Sequence, residues 1–207
     1  NTDSNITFDE WKELGKEYIE QSKFNKKIDD KFDCGKIYGE LWRYWPVTNG
    51  KPIDQICNLV NTIINNPNSR YQIVSAWNPE IIRDNDIALP SCHCFWQTCL
   101  RPTGNENNYI DLAIYQRSCD YMLGVPYNIA SYALLIHILA KLTGNEVGKL
   151  TWIGGSTHVY ENHVENALIQ LEREPKQLPT LECNFDKVEM LIEKGLLQKH
   201  YDSEQIS

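Results

Sequence analysis

The stretch from Cys94 to Tyr115, which reads C-F-W-Q-T-C-L-R-P-T-G-N-E-N-N-Y-I-D-L-A-I-Y, decides how the chain folds. Its two ends, Cys94–Leu100 and Ile110–Tyr115, are rich in aromatic and β-branched residues, which is typical of strands. The segment Arg101–Asn108 between them contains a proline and a glycine, which mark a turn. The pattern predicts two strands joined by a long hairpin loop, so the core should contain a β-sheet.

Helical patterns flank this hairpin on both sides. Apolar residues between Ile53 and Ile64 recur at the spacing of an amphipathic helix, and Asp54 stands where an N-cap belongs. A more apolar helix is predicted over Asn128–Leu142, with Gly144 at its C-cap. Further predicted elements are a helix at Phe8–Tyr18, strands at Tyr71–Trp77 and Leu150–Ile153, and a helix that begins near His158. Because no repeat or linker interrupts this order, we predict a single α+β domain over residues 1–207.

The composition excludes several classes of protein. The 207 residues are 42% hydrophobic and carry a net charge of −8, so the chain can bury a core but lacks the basic field that a nucleic-acid partner requires. Seven cysteines without paired spacing favour a reducing compartment, and we expect a cytoplasmic protein. The longest apolar stretch, Ile129–Leu142, is shorter than the roughly 20 residues that span a membrane. It predicts a buried helix and no membrane partner.

The sequence Cys92-His93-Cys94 brings together three side chains that bind metals or act in catalysis. Zinc ligands usually come in spaced pairs, and neighbouring residues on a strand face opposite sides, so we expect no metal here. Composition alone leaves two interpretations of Cys92. It is either a nucleophile activated by basic neighbours or a buried structural cysteine.

Seven short segments stand out when they are taken together. They are Tyr38–Arg43 (Y-G-E-L-W-R), Ser69-Arg70, Ile73–Asn78 (I-V-S-A-W-N), Cys92-His93, Tyr115–Asp120 (Y-Q-R-S-C-D), Pro126–Ala133 (P-Y-N-I-A-S-Y-A) and Gly154–Tyr160 (G-G-S-T-H-V-Y). In order and spacing these segments resemble the thymidylate synthase family. The resemblance covers about residues 35–181 and favours the interpretation of Cys92 as a nucleophile.

The resemblance implies a fold and a reaction. The fold is a three-layer α+β domain whose mixed β-sheet forms the interface of a homodimer. The reaction transfers a one-carbon unit from 5,10-methylenetetrahydrofolate, a co-substrate, to C5 of dUMP, and it needs no metal. Cys92 would attack C6 of the uracil ring, which turns C5 into an enolate carbon that captures the methylene group.

The same resemblance assigns the nucleotide contacts. Arg117 would bind the phosphate and lower the pKa of the thiol by its charge, and Ser118 would add a hydroxyl to that phosphate. Asn128 would read O4 and N3 of uracil, because an amide offers the matching donor and acceptor. As an alternative, Asn128 is an N-cap of the predicted helix. His158 and Tyr160 would hold the 3′-hydroxyl of the deoxyribose.

The remaining assignments complete the site. Tyr38 would help to remove the C5 proton, and His93 would support the water network at the pyrimidine. Asp120 would bind the pterin of the folate. Arg70 would reach the phosphate bound by the partner subunit, where the family usually offers two arginines, whereas here Arg70 is followed by Tyr71.

The ends of the chain depart from the family pattern. We expect that the earlier arginine loop and the catalytic glutamate have no counterpart in these residues, so that the sequence is either a fragment or a reduced homologue. Asp186–Ser207 differs from the tail with which the family closes its site. Two alternative functions therefore stay open. The first is a pyrimidine hydroxymethylase, in which water quenches the intermediate, and the second is a non-catalytic nucleotide-binding homologue.

Overall fold

A computed structural model describes residues 34–84, 87–104 and 107–181, together with residues 7, 9, 10 and 13. The predicted helix at Phe8–Tyr18 and the tail at Asp186–Ser207 lie largely or wholly outside this part. The elements are α1 (Gly39–Arg43), α2 (Gln55–Asn65), β1 (Ile73–Ser75), α3 (Pro79–Arg83), β2 (His93–Pro102), β3 (Asn108–Asp120), α4 (Gly124–Thr143), β4 (Glu146–His158), a 3₁₀ turn (Glu161–His163) and α5 (Val164–Leu171).

The four strands form one mixed sheet in the order β1-β2-β3-β4. The first three pair antiparallel, and β2 faces β3 along the predicted hairpin down to the pair Pro102 and Asn108. Strand β4 follows the helix α4 and runs parallel to β3. The predicted hairpin and the α+β class are therefore confirmed.

One face of the sheet is buried under two helices. Alternate residues of β2 and β3, such as Trp96 and Ile114, are almost fully buried and pack with the apolar side of α2. Helix α4 is long and apolar enough to cross a membrane by length and composition. Its residues Tyr132, Ile136 and Leu139 nevertheless lie in the same core, so one side of the helix is buried as predicted, while residues such as Leu134 on its other side are exposed.

Both predicted caps form. The carboxylate of Asp54 accepts a hydrogen bond from the backbone N–H of Cys57 at 3.0 Å and begins α2. Gly144 ends α4 in the left-handed conformation with φ of 68°, which glycine adopts without steric cost.

Several predicted boundaries are wrong: the strand expected at Tyr71–Trp77 covers only Ile73–Ser75, the one expected at Leu150–Ile153 extends over Glu146–His158, and two helix starts differ. Helix α4 begins at Gly124 rather than near Asn128, because the carboxylate of Asp120 accepts the N–H groups of Met122 and Leu123 at 3.2 Å and orders the turn before the helix. Asn128 is therefore inside the helix and not its N-cap. His158 does not begin a helix: it ends β4, which stays paired with β3 as far as the pair Asp120 and His158.

The strand directions gather the predicted site at one end of the sheet. Because β2 runs against β3, the start of β2 lies beside the end of β3, and His93 pairs with Gln116. Because β4 runs with β3, its last residue, His158, arrives beside Asp120. Residues that are far apart in the sequence thus lie close together at one end of the sheet.

Candidate active site

Cys92 stands directly before β2 in a loop held by two neighbours. Its backbone N–H donates to the hydroxyl of Tyr38 at 3.0 Å, and its carbonyl accepts the backbone N–H of Arg117 at 2.8 Å. The hydroxyl of Ser91 accepts the backbone N–H of Tyr38 at 3.5 Å. The backbone on both sides of the thiol is therefore fixed to α1 and β3, which orients the partly buried side chain.

Tyr38 has a strained backbone. Its φ of 43° makes it the one residue other than glycine with a positive φ in the described part of the chain. Such a conformation costs on the order of 1–3 kcal/mol and persists where its surroundings hold it. Here the ring stacks on His93 with centroids 4.3 Å apart, and burial raises the pKa of the phenol to about 12. The hydroxyl therefore keeps its proton at neutral pH while it anchors Cys92.

Arg117 brings a positive charge to the loop that precedes Cys92. Its guanidinium donates to the carbonyl oxygens of Ser91 at 3.0 Å and Pro90 at 2.7 Å. It also lies over the ring of Trp77, 5.4 Å from the centroid, within the range of a cation–π contact. The structure thus brings the predicted pair Cys92 and Arg117 together.

Asn128 and His93 meet in a hydrogen-bonded group. The amide nitrogen of Asn128 lies 3.2 Å from Nε2 of His93, and Nδ1 of His93 lies 3.2 Å from the hydroxyl of Tyr132. Burial lowers the pKa of His93 to about 4, so this imidazole is neutral at pH 7. The amide oxygen of Asn128 accepts from Gln116 at 3.0 Å. The amide is therefore held in one orientation by two partners.

The ends of β3 and β4 carry the other predicted residues. The carboxylate of Asp120 accepts the backbone N–H of Met122 in the turn before α4, and its Oδ1 lies 4.0 Å from Nδ1 of His163. Nδ1 of His158 lies 3.2 Å from the carbonyl oxygen of Ser156, and its ring meets that of Tyr160 edge to face, with centroids 4.9 Å apart. Ser118 pairs with Ser156 in the sheet.

Arg70 occupies a separate place, on the exposed loop between α2 and β1. The fully buried Gln72 anchors this loop to the sheet. Its amide nitrogen donates to the carbonyl oxygen of Pro67 at 3.0 Å, and its amide oxygen accepts from the hydroxyl of Thr98 at 2.9 Å. Tyr71, the departure from the family pattern, is 90% exposed. This loop therefore presents its charge away from the core of its own subunit.

The described residues include no group of three histidine, cysteine or acidic side chains that could hold a metal ion. In the Cys92-His93-Cys94 sequence, Cys94 faces the carbonyl oxygens of Ser91 and Cys92 at 4.0 and 3.7 Å. Burial raises the pKa of the Cys94 thiol, which makes it less reactive. Cys94 has the character of a structural cysteine.

Sequence reasoning missed three members of the site: Gln116, Tyr132 and Trp152. Gln116 is only 2% exposed and lies inside the recognised segment Tyr115–Asp120. A polar residue at an inward-facing strand position could have indicated that Gln116 belongs to the site. Tyr132 and Trp152 carry no such signal, because aromatic residues in a helix or strand are ordinary core residues.

The comparisons with known proteins agree with this geometry. A solved structure described as the crystal structure of thymidylate synthase from T4 phage matches with a TM-score of 0.61 and 46% sequence identity, over 70% of this chain and 47% of that chain. The domain therefore has the thymidylate synthase fold. The family model described as Thymidylate synthase matches residues 3–203, and the chain belongs to that family. The chain spans about half the length of the T4 phage structure.

Proposed function

We propose that this chain forms the nucleotide site of an enzyme that methylates dUMP at C5 to give dTMP, with 5,10-methylenetetrahydrofolate as co-substrate. The observation that carries the proposal is that Cys92, His93 and Arg117, at one end of the two central strands, lie together with Asn128 of helix α4. A purely structural cysteine would not need a partly buried arginine and a fixed amide beside it. Family membership supports the same reaction.

Cys92 acts as the nucleophile in this proposal. Its sulfur adds to C6 of the uracil ring, and the electrons of the C5–C6 double bond move into an enolate. C5 then forms a bond to the methylene carbon of the folate as one carbon–nitrogen bond of that methylene bridge breaks, and C5 loses its proton. The second carbon–nitrogen bond breaks to give an exocyclic methylene group, which takes a hydride from the tetrahydrofolate to become methyl and leaves dihydrofolate, and the thiolate departs from C6. Arg117 favours this addition by placing positive charge beside the loop. Ser118 adds its hydroxyl to the phosphate that Arg117 binds.

Asn128 selects the base. Its amide oxygen already accepts from Gln116 and its amide nitrogen already faces His93, so one lone pair and one hydrogen remain. These match the N3–H donor and O4 acceptor of uracil and oppose the pattern of cytosine. His93, neutral at pH 7, holds the water network at the pyrimidine, and Tyr38 assists in the removal of the C5 proton.

The sugar and folate contacts lie at the ends of β3 and β4. His158 and Tyr160 hold the 3′-hydroxyl, and the edge-to-face contact between their rings keeps them in place. Asp120 binds the pterin. Because Asp120 also orders the turn before α4, the pterin contact uses the oxygen that the turn leaves available.

The working unit is a homodimer in the cytoplasm, with no metal, nucleic acid or membrane partner. The outer face of the sheet supports this assembly, since Ile73, Phe95 and Ile153 are each more than two fifths exposed there. Apolar side chains in such a row need a covering surface. In the dimer, Arg70 of each subunit reaches the phosphate bound by the other.

Adduct formation with 5-fluoro-dUMP tests the nucleophile. Fluorine at C5 blocks proton loss, so the purified chain with methylenetetrahydrofolate should retain the nucleotide covalently, and mass spectrometry of peptides should place it on Cys92. The variant Cys92→Ser should give none, whereas the matched control Cys99→Ser, at an exposed cysteine on β2, should behave as the wild type. An adduct on another cysteine would overturn the assignment.

The product formed from dUMP distinguishes the proposal from its alternatives. Mass analysis should show an added methyl group. A hydroxymethyl group, heavier by one oxygen, would identify a pyrimidine hydroxymethylase instead. Tight binding of dUMP without any adduct or product would identify a non-catalytic nucleotide-binding homologue.

A further inference from the structure

The indole of Trp152 donates a hydrogen bond into the site from the middle of β4. Its Nε1–H lies 3.0 Å from the amide oxygen of Gln116. An indole nitrogen can only donate, so this contact requires that the oxygen of Gln116, and not its nitrogen, faces the ring.

The orientation of the Gln116 amide in turn determines which groups its nitrogen bonds. Its amide nitrogen donates to the carbonyl oxygen of Ser118 at 3.1 Å and to the amide oxygen of Asn128 at 3.0 Å. With the side chain only 2% exposed, water offers no alternative partner. A reversed amide would place its oxygen against two other oxygens and its nitrogen against the indole N–H, so a single orientation satisfies every group.

The orientation of the Asn128 amide determines which nitrogen of the His93 imidazole carries the proton. Because the oxygen of Asn128 accepts from Gln116, its amide nitrogen faces Nε2 of His93 and donates to it across 3.2 Å. Nε2 must then lack a proton, and Nδ1 carries it towards the hydroxyl of Tyr132 at 3.2 Å. The donor-only indole of Trp152 and the acceptor-only carbonyl of Ser118 therefore together determine the direction of each hydrogen bond in this series.

We propose that Trp152 is a positioning residue which, through Gln116, fixes the amide of Asn128 in the orientation that accepts uracil and rejects cytosine. The step from amide orientation to base choice rests on the proposed function. The step from Trp152 to the tautomer of His93 depends only on the hydrogen bonds of the protein itself.

The chain contains a matched control for the loss of an indole N–H. Trp42, like Trp152, is partly buried and packs against the main core. Within the described residues its Nε1 is buried without a hydrogen-bond partner. Replacement of either tryptophan by phenylalanine removes similar volume, but only Trp152→Phe breaks a hydrogen bond of the site.

The first test measures the tautomer of His93 by ¹⁵N NMR of the unliganded chain near pH 7, with the signal assigned from a His93→Gln variant. The wild type and Trp42→Phe should show the proton on Nδ1. Trp152→Phe should shift a measurable fraction to the Nε2–H form, because only the carbonyl of Ser118 then opposes rotation of the Gln116 amide and, with it, that of Asn128. An unchanged tautomer in Trp152→Phe would overturn the proposal.

A second variant covers the case in which Trp152→Phe does not fold. Gln116→Met keeps the length of the side chain and removes the connection between the indole and Asn128, so it should produce the same change of tautomer. If this folded variant retained the wild-type tautomer of His93, the proposal would be overturned.

The final test measures the dissociation constants of dUMP and dCMP for the same proteins. The preference for dUMP should fall about tenfold in Trp152→Phe and stay near the wild-type value in Trp42→Phe. Should the tautomer shift in a chain that binds neither nucleotide, the proposed function would fail while the positioning role of Trp152 would stand. Unchanged preference in a variant that binds dUMP well would refute the link to base choice.

Discussion

Tyr38→Phe isolates one hydrogen bond at the candidate nucleophile. The substitution keeps the ring that stacks on His93 at 4.3 Å and removes the hydroxyl that accepts the backbone N–H of Cys92 at 3.0 Å. That N–H would then lie in a partly buried place without its partner. Leaving a buried donor unpaired costs about 1–3 kcal/mol, and partial access of water reduces this to about 1–2 kcal/mol.

Two measurements follow from this estimate. Urea unfolding should show the variant about 1–2 kcal/mol less stable than the wild type, with an unchanged slope. Because the loop that orients the thiol has lost an anchor, the adduct with 5-fluoro-dUMP should form about tenfold more slowly, in line with roughly 1.4 kcal/mol per factor of ten. The strained φ of Tyr38 remains in both proteins and cancels in the comparison.

Tyr71→Phe is the control for the loss of a phenol, since Tyr71 is 90% exposed and its hydroxyl anchors nothing in the core. Its unfolding free energy should equal that of the wild type. If Tyr38→Phe unfolded at the same urea concentration as Tyr71→Phe, the hydroxyl would not anchor the loop. A stability loss with an unchanged rate of adduct formation would separate the anchor from the orientation of Cys92.

Three further predictions test other parts of the site. The pKa of His93 is lowered to about 4, so the unfolded chain binds a proton that the folded chain does not, and the free energy of unfolding should fall by about 2 kcal/mol between pH 6.5 and 4. His93→Gln should show a smaller fall than the wild type in urea titrations, and an equal fall would contradict the buried neutral ring. Mixing Arg70→Ala chains with Cys92→Ser chains should restore activity, because one site of each heterodimer has lost neither residue; heterodimers without activity would refute a shared site. Asn128→Asp should shift the ratio of specificity constants towards dCMP by about 1–3 kcal/mol, and no shift would place base recognition elsewhere.

The sequence predicted the sheet and the core helices because local signals and burial agree there. The hairpin of β2 and β3, the cap at Asp54 and the left-handed Gly144 each follow from the residues themselves. The length of β4 could not be predicted, because Gly154 and Gly155 favour a turn locally. Pairing of Gly154 with Gln116 keeps the strand extended instead, and the energy of that pairing comes from β3.

The polar contacts of the site were only partly predictable. The recognised segments contain Cys92, Arg117 and Asn128, but no spacing indicates that the guanidinium of Arg117 holds two carbonyls of the loop before Cys92. Nor does the sequence reveal the backbone strain at Tyr38, since a positive φ in a tyrosine comes from tertiary contacts. Side-chain hydrogen bonds between distant strands appear only after the strands are paired.

The two wrong helix starts have a common consequence for the site. Asn128 and His158 were both expected near helix starts, where a side chain commonly bonds to its own backbone and is not available to a ligand. Instead, Asn128 lies one turn inside α4, and the turn that precedes this helix is ordered by the carboxylate of Asp120. His158 is held by strand pairing with Asp120 itself. Because Asp120 orders the turn before α4, Asn128 keeps its amide for Gln116 and His93, and in the proposed function its remaining donor and acceptor are available to the base without Asp120 touching that base.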